Sequence, residues 1–96
     1  MSRYKRWFVP GGTYFFTLVT YRRRVLFDDP KARESLHDAI EEVRTKYPLE
    51  IVAMALLPEH LHTVVSLPPG DADYPMRWRR IKEEFTERFL ESGGSE

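Results

Sequence analysis

The stretch LLPEHLHTVV, residues 56–65, predicts a β-strand that carries two histidines near its start. Because side chains alternate along a strand, His60 and His62 project from one face while Leu61 and Thr63 project from the other. Two neutral imidazoles side by side can share one divalent metal ion, since each ring offers a nitrogen lone pair. The alternative is that two partly exposed histidines lie on a sheet face with no shared role.

The rest of this strand indicates which face is exposed. Val64 and Ser66 share the histidine face. The opposite face is more apolar, with Leu61, Val65 and Leu67. The alternation therefore predicts that the two histidines lie on an open face of the sheet, where they can meet a ligand.

Composition limits the class of protein. The chain has 96 residues, of which 42% are hydrophobic and 31% charged, and this predicts one globular domain over residues 1–96. The absence of cysteine excludes disulfides and a thiolate metal site. We find no signal peptide pattern and no apolar run of membrane-spanning length, so we expect a cytoplasmic protein with no membrane partner. Residues 1–10 and 92–96 are expected to be flexible.

Positive charge is concentrated at one end of a chain whose net charge is zero. Residues 1–24 contain six arginines and lysines and no acidic residue. Within them, Arg22, Arg23 and Arg24 are candidates for phosphate contacts by charge alone, because clustered cations bind nucleic acid phosphates. The alternative is a solvated basic surface.

The periodicity along the chain predicts the order β-α-β-β-α. The first strand, opened by a glycine pair, has apolar residues on both faces and is expected to be central; the strand before the histidines is expected to be buried on both faces. The first helix begins at Pro30 with Asp29 as its N-cap, and the second carries an apolar stripe that leaves Arg77 outside. The predicted elements are strand 13–21, helix 30–47, strands 49–57 and 60–67, and helix 75–90. A turn at 58–59 joins the last two strands.

This order contains five of the six elements of the ferredoxin-like split βαβ sandwich, an α+β fold with both helices on one face of an antiparallel sheet. The last strand of that fold has no counterpart in the predicted elements.

Several separated motifs resemble one family. The chain is similar to the HUH-type single-tyrosine transposases, and most similar to the branch of REP-associated tyrosine transposases, which act on palindromic repeats in bacterial genomes. The motifs that carry the resemblance are GGTYFFT at 11–17, TYRR at 20–23, LPEHLH at 57–62, LPPGDADY at 67–74 and RWRRIK at 77–82.

The resemblance implies DNA transposition, a recombination reaction on single-stranded DNA with hairpins. It implies that His60 and His62 hold Mg²⁺ or Mn²⁺, which polarises the scissile phosphate. A tyrosine on a later helix then attacks the phosphate and forms a 5′-phosphotyrosine. In the family that helix also supplies a third metal ligand.

None of the five tyrosines of this chain matches the position of the nucleophile. We therefore expect an incomplete transposase domain, in which the last strand and the tyrosine helix lie beyond Glu96 and a C-terminal segment or a homo-oligomer completes the protein. Two alternatives remain: a DNA-binding module without catalysis, and a small ferredoxin-like interaction domain.

Overall fold

The computed structural model describes residues 11–94 and has an α+β fold. The described residues form a three-stranded antiparallel sheet in the order β1-β3-β2, with two helices packed on one face. The elements are β1 (Thr13–Val19), α1 (Pro30–Lys46), β2 (Glu50–Leu57), β3 (His60–Ser66) and α2 (Tyr74–Glu91), with two short 3-10 turns, Tyr21–Arg23 and Leu26–Asp28, between β1 and α1. The predicted order is confirmed.

Strand β3 lies in the middle of this sheet and pairs with both neighbours along its length. Its burial alternates strictly: Leu61, Thr63 and Val65 are buried, and the residues between them are half-buried. The buried face joins Phe16 of β1 and the apolar sides of both helices in one core. The histidines therefore lie on the face away from the helices, as the alternation predicts.

The prediction that β2 is buried on both faces is wrong. Val52 is 55% exposed and Met54 is 40% exposed, and the alanines beside them are exposed too. Within residues 11–94, β2 pairs only with β3 and forms an edge of the sheet, so its apolar run meets the helices on one side alone. In the same residues β1 is the other edge of the sheet, rather than the central strand that its composition predicts.

Helix boundaries follow the capping chemistry of the sequence. The Asp29 carboxylate accepts a hydrogen bond from the Lys31 amide at 2.9 Å, with Pro30 at the first helical position, as predicted. The second helix begins one residue earlier than predicted, because Asp73 caps it by accepting from the Met76 amide at 3.1 Å.

Arg77 is buried in the structure, whereas the apolar stripe of the second helix predicts that it lies on the outside. Only 3% of it is exposed, and its guanidinium binds the Asp71 carboxylate through two nitrogens at 2.9 and 3.2 Å. The same group donates to the carbonyl oxygens of Tyr47, Pro48 and Asp73. One buried cation thus joins the loop after α1 to the loop before α2, and these carbonyls account for its burial.

The loop around Asp71 also meets the start of β1. The Gly11 amide donates to the Asp71 carbonyl oxygen at 2.9 Å. Gly11 has a φ of +73°, and a β-carbon there would lie 3.2 Å from the Pro69 α-carbon. The glycine at this position therefore allows both a left-handed backbone and the close approach of the segment before β1 to the loop before α2.

The residues expected to be flexible fall largely outside the described range. Residues 1–10, with the N-terminal cations, and residues 95–96 are not described. Ser92, Gly93 and Gly94 donate amide hydrogen bonds to carbonyl oxygens of the last turn of α2.

Neither helix in residues 11–94 is long and apolar enough to cross a membrane.

We predict that Asp71→Asn destabilises the protein at neutral pH and that this difference disappears in acid. The Arg77 guanidinium holds the pKa of the Asp71 carboxyl below its ordinary value of 3.8. The ionised group therefore contributes stability above pH 3.8, and that contribution is lost as the pH falls through the lower pKa of the folded state. Urea unfolding from neutral to acidic pH measures it.

The matched control is Glu34→Gln, which neutralises an exposed carboxylate on α1. It should unfold like the parent protein at each pH. An Asp71→Asn deficit of constant size down to the acid limit would contradict the assignment of this ion pair.

Candidate metal and nucleic-acid site

The two histidines lie next to each other at the start of β3. The centroids of the His60 and His62 rings are 4.6 Å apart, and the ring planes are nearly perpendicular, at 82°. Both residues are half-buried, so the rings are held by neighbours yet remain reachable from solvent. The structure thus brings together the two residues that the sequence singled out.

Each imidazole uses its Nδ1 atom within the protein. His60 Nδ1 lies 3.0 Å from Oε1 of Glu59, and His62 Nδ1 lies 3.1 Å from Oγ1 of Thr17. Nδ1 is therefore occupied in both rings, and Nε2 is the atom of each ring that can meet an external ligand.

Strand β1 supplies the surroundings of His62. Thr17 is the direct cross-strand partner of His62, and Val19 is the partner of His60. The Phe15 ring stacks on the His62 ring with a centroid distance of 5.7 Å and an interplanar angle of 21°. Phe15 is 48% exposed, so an aromatic surface continues from the histidine pair across the open face.

The three candidate arginines follow β1 at this same end of the sheet. Thr20 joins their turn to the residue that precedes the histidines: its amide and its hydroxyl both donate to the Glu59 carbonyl oxygen, at 2.9 and 3.0 Å. The hydroxyl also lies 2.7 Å from the Arg24 carbonyl oxygen. The fold therefore brings residues 22–24 close to His60, although about forty residues of sequence separate them.

The turn formed by residues 22–24, here called the arginine turn, has an unusual backbone. Arg22 and Arg23 both have φ values of +53°. This is the left-handed region, which costs a residue other than glycine about 1–2 kcal/mol. All three arginines are exposed. The Arg22 guanidinium lies over the ring of Tyr21, 5.2 Å from its centroid, and Tyr21 is itself 79% exposed. The turn thus presents cations and an aromatic ring to solvent.

Among residues 11–94, no group of three or more histidine, aspartate or glutamate side chains is arranged to hold a metal ion. The two imidazoles fit part of the ligand set of Mn²⁺ or Mg²⁺, which also take oxygen from water, carboxylate or phosphate.

An apolar groove opens behind the arginine turn. It has a volume of about 710 Å³ and lies between the end of β1, the arginine turn and the C-terminal half of α2. Leu18, Ile81 and Phe85 are among its lining residues, and Lys82 lies at its wall, where desolvation lowers the pKa of the ammonium group. Arg22 and Arg24 line it as well, so the groove combines apolar walls with cations of the arginine turn.

The described tyrosines divide into core and surface. Tyr74 is buried, donates a hydrogen bond to the Gly12 carbonyl oxygen and packs edge-on against Tyr14. Its hydroxyl lies in the core, away from any DNA, and burial raises its pKa. Tyr47 lies under Arg80 on the helical side. Tyr21 is the exposed one among residues 11–94, and Tyr4 lies outside the described residues.

Sequence reasoning missed the residues that hold the histidine rings. The sequence predicts only a turn at Glu59. Its position directly before His60 is the signal that indicates a contact between the two side chains. Thr17 and Phe15 are 45 and 47 residues from His62, and only the strand register brings them to it.

The residues that form this site and its scaffold lie within a segment that matches a known family. Residues 9–92 match the model described as Transposase IS200 like. The chain belongs to the IS200-like transposase family. The match includes both strands of the histidine site, the arginine turn and both helices.

Individual relatives agree with the family. The chain is 43% identical over 86 residues to the REP-associated tyrosine transposase of Escherichia coli strain K12, and 36% identical over 89 residues to a relative of the same description from Haemophilus influenzae. These matches cover 90% and 93% of this chain, but 52% and 50% of the relatives. The chain therefore spans about half the length of the curated relatives it matches.

Solved structures confirm the fold. A REP-associated tyrosine transposase bound to a REP hairpin superposes with a TM-score of 0.78 at 43% identity, over 91% of this chain and 52% of that one. A protein of Deinococcus radiodurans described as a transposase superposes with a TM-score of 0.69 at 21% identity, over 95% of this chain and 68% of that one, and supports the fold alone.

Proposed function

We propose that this domain binds single-stranded DNA with hairpins through the open face of its sheet and takes part in metal-assisted strand cleavage during transposition, in the bacterial cytoplasm. The observation that carries the proposal is the position of the histidine pair and the arginine turn at one end of the same sheet. The relative that was solved with a REP hairpin supports a hairpin as the ligand.

The chemistry of the surface fits a nucleic acid. Arg22, Arg23 and Arg24 offer guanidinium groups, which bind phosphate oxygens with two parallel hydrogen bonds. Phe15 is an exposed ring on which a base can stack. Cations and an exposed aromatic ring thus both occur near the end of the sheet that carries the histidines.

The left-handed backbone of the arginine turn supports the same role. A strained turn persists when the surrounding contacts fix it, and here Thr20 binds both the turn and Glu59. A fixed turn presents its cations without a further loss of backbone entropy on binding.

We predict that replacing the three arginines at 22–24 with glutamine weakens binding of a labelled DNA hairpin with single-stranded flanks and flattens its salt dependence. Each lost phosphate contact reduces the slope of log affinity against log salt by about 0.7–0.9, so three contacts reduce it by about 2–3. Fluorescence anisotropy between low and moderate salt measures the slope.

The matched control removes three cations from the helical side, with Lys31, Lys46 and Arg79 changed to glutamine. These residues are exposed on α1 and α2, away from the open face. This variant should keep the parent slope. Equal slopes for all three proteins would reject the arginine turn as the phosphate-binding element.

We propose further that His60 and His62 contribute two nitrogen ligands to a Mn²⁺ or Mg²⁺ site. When bound, such an ion stabilises negative charge on the phosphate oxygens during strand cleavage. The remaining ligands would come from water, from DNA phosphate or from another protein segment.

We predict weak, histidine-dependent binding of Mn²⁺. In an NMR titration the ring signals of His60 and His62 should broaden first, while those of His37 on α1 serve as an internal control. His60→Ala should lower the affinity by about tenfold or more, because half of the protein ligands are lost. Equal broadening of all histidine signals at the same Mn²⁺ concentration would contradict the site.

Cleavage also needs a nucleophile, which we propose comes from a further protein segment. In the proposed reaction a tyrosine hydroxyl loses its proton to water as its oxygen forms a bond to phosphorus. The bond from phosphorus to the 3′ oxygen breaks, and that oxygen takes up a proton from water and leaves as a 3′-hydroxyl. The edge of β1 and the apolar groove beside α2 offer a place for such a segment, since the sixth element of the split βαβ fold would pair there.

We predict that the chain of residues 1–96 forms no covalent adduct with a labelled hairpin in Mn²⁺, as judged on a denaturing gel. The match covers 52% of the Escherichia coli relative, and the rest of that protein can be added as a second polypeptide. An adduct should then appear. A second polypeptide with its tyrosines changed to phenylalanine is the control. An adduct from residues 1–96 alone that is lost in Tyr21→Phe would contradict the proposal and identify Tyr21 as the nucleophile.

A DNA-binding module without catalysis is the second candidate. The basic turn and the exposed aromatic ring favour it, because neither feature needs a metal ion or a nucleophile to bind DNA. Hairpin binding that is retained while no added segment restores the adduct would select it.

A further inference from the structure

Glu59 lies against the side of His60 that does not meet an external ligand. Its Oε1 atom is 3.0 Å from His60 Nδ1, and the two side chains are 30% and 21% exposed. The Glu59 backbone is fixed as well, because its carbonyl oxygen accepts two hydrogen bonds from Thr20. The backbone of Glu59 is therefore fixed by Thr20, and its carboxylate lies beside the His60 ring.

The chemistry of this contact determines where the imidazole proton lies. An ionised carboxylate only accepts hydrogen bonds, so the neutral ring must donate from Nδ1. The proton then sits on Nδ1 and the lone pair sits on Nε2. Neutral histidine in water favours the opposite form, in which Nε2 carries the proton and cannot bind a metal.

The partner of His62 has a different property. The Thr17 hydroxyl, 3.1 Å from His62 Nδ1, can either donate or accept a hydrogen bond. This contact orients the ring without selecting a tautomer. The two histidines of the pair are therefore prepared to different degrees, although they are alike in sequence.

We propose that Glu59 is a positioning residue that fixes His60 in its Nδ1–H tautomer and so prepares Nε2 for a divalent ion before that ion arrives. The role in metal binding rests on the proposed function of the histidine pair; the tautomer itself does not. Hydrogen bonds from ligating histidines to carboxylates change metal affinity by about 10–100-fold in other proteins.

Long-range ¹H–¹⁵N NMR spectra of metal-free protein test the tautomer directly, at about pH 8, where ordinary imidazoles are neutral. The parent protein should show His60 with the proton on Nδ1. Glu59→Gln keeps the size of the side chain, but its amide can donate as well as accept. In this variant His60 should shift toward the Nε2–H form. A parent spectrum with the proton on Nε2 would overturn the assignment.

Mn²⁺ titration of the same proteins tests the consequence. Glu59→Gln should bind about tenfold more weakly or worse. The control is Glu50→Gln, which removes the same charge at the far end of the sheet, where Glu50 pairs with Ser66. It should leave both the tautomer and the affinity unchanged.

The outcomes separate the possible causes. Loss of Mn²⁺ affinity in Glu59→Gln with an unchanged His60 tautomer would overturn the positioning role and make Glu59 a direct ligand or a simple charge. Equal losses in the Glu50 and Glu59 variants would also overturn it, in favour of general attraction. No Mn²⁺ binding by the parent protein would reject the proposed metal site, while the metal-free spectra would still decide the tautomer.

Discussion

The alternation of side chains along β3 is the constraint on which the rest of this structure depends. This strand pairs on both sides, so its register fixes the positions of β1 and β2 together. Leu61 and Val65 are almost fully buried under the helices, and their burial leaves the histidines no choice of face. A shift of one residue would place two imidazoles in the core and two large apolar side chains in water, which would cost several kcal/mol.

The loops at the far end of the sheet depend on a single buried cation. Arg77 donates to three backbone carbonyl oxygens and one carboxylate, and these groups come from two loops, the one after α1 and the one before α2. Tyr74 meets the start of β1 from the same helix turn. The proposed site at one end of the sheet thus depends on a scaffold that is held together at the other end.

At the site, fixed backbone and adaptable side chains are combined. Thr20 joins the backbone of the arginine turn to the backbone of Glu59, and the Glu59 carboxylate contacts the His60 ring. The His62 ring is held separately, by Thr17. The arginine side chains themselves are exposed and can follow a phosphate. This division suits the proposed role, in which the surface orients a metal ion and binds a flexible DNA strand.

The sequence alone determined the element order, the face of the histidines, the helix start at Pro30 with its Asp29 cap and the family resemblance, because these follow from local periodicity, capping and contiguous motifs. Only the tertiary structure decided the burial of Arg77, the exposure of β2 and the contact of Phe15 with His62. Periodicity shows which side of an element is apolar, but it does not show whether loop carbonyls cover a cation or which strand lies at an edge. Those outcomes depend on pairing between residues far apart in the chain, and the partners of the histidines became visible only with the register of β1 against β3.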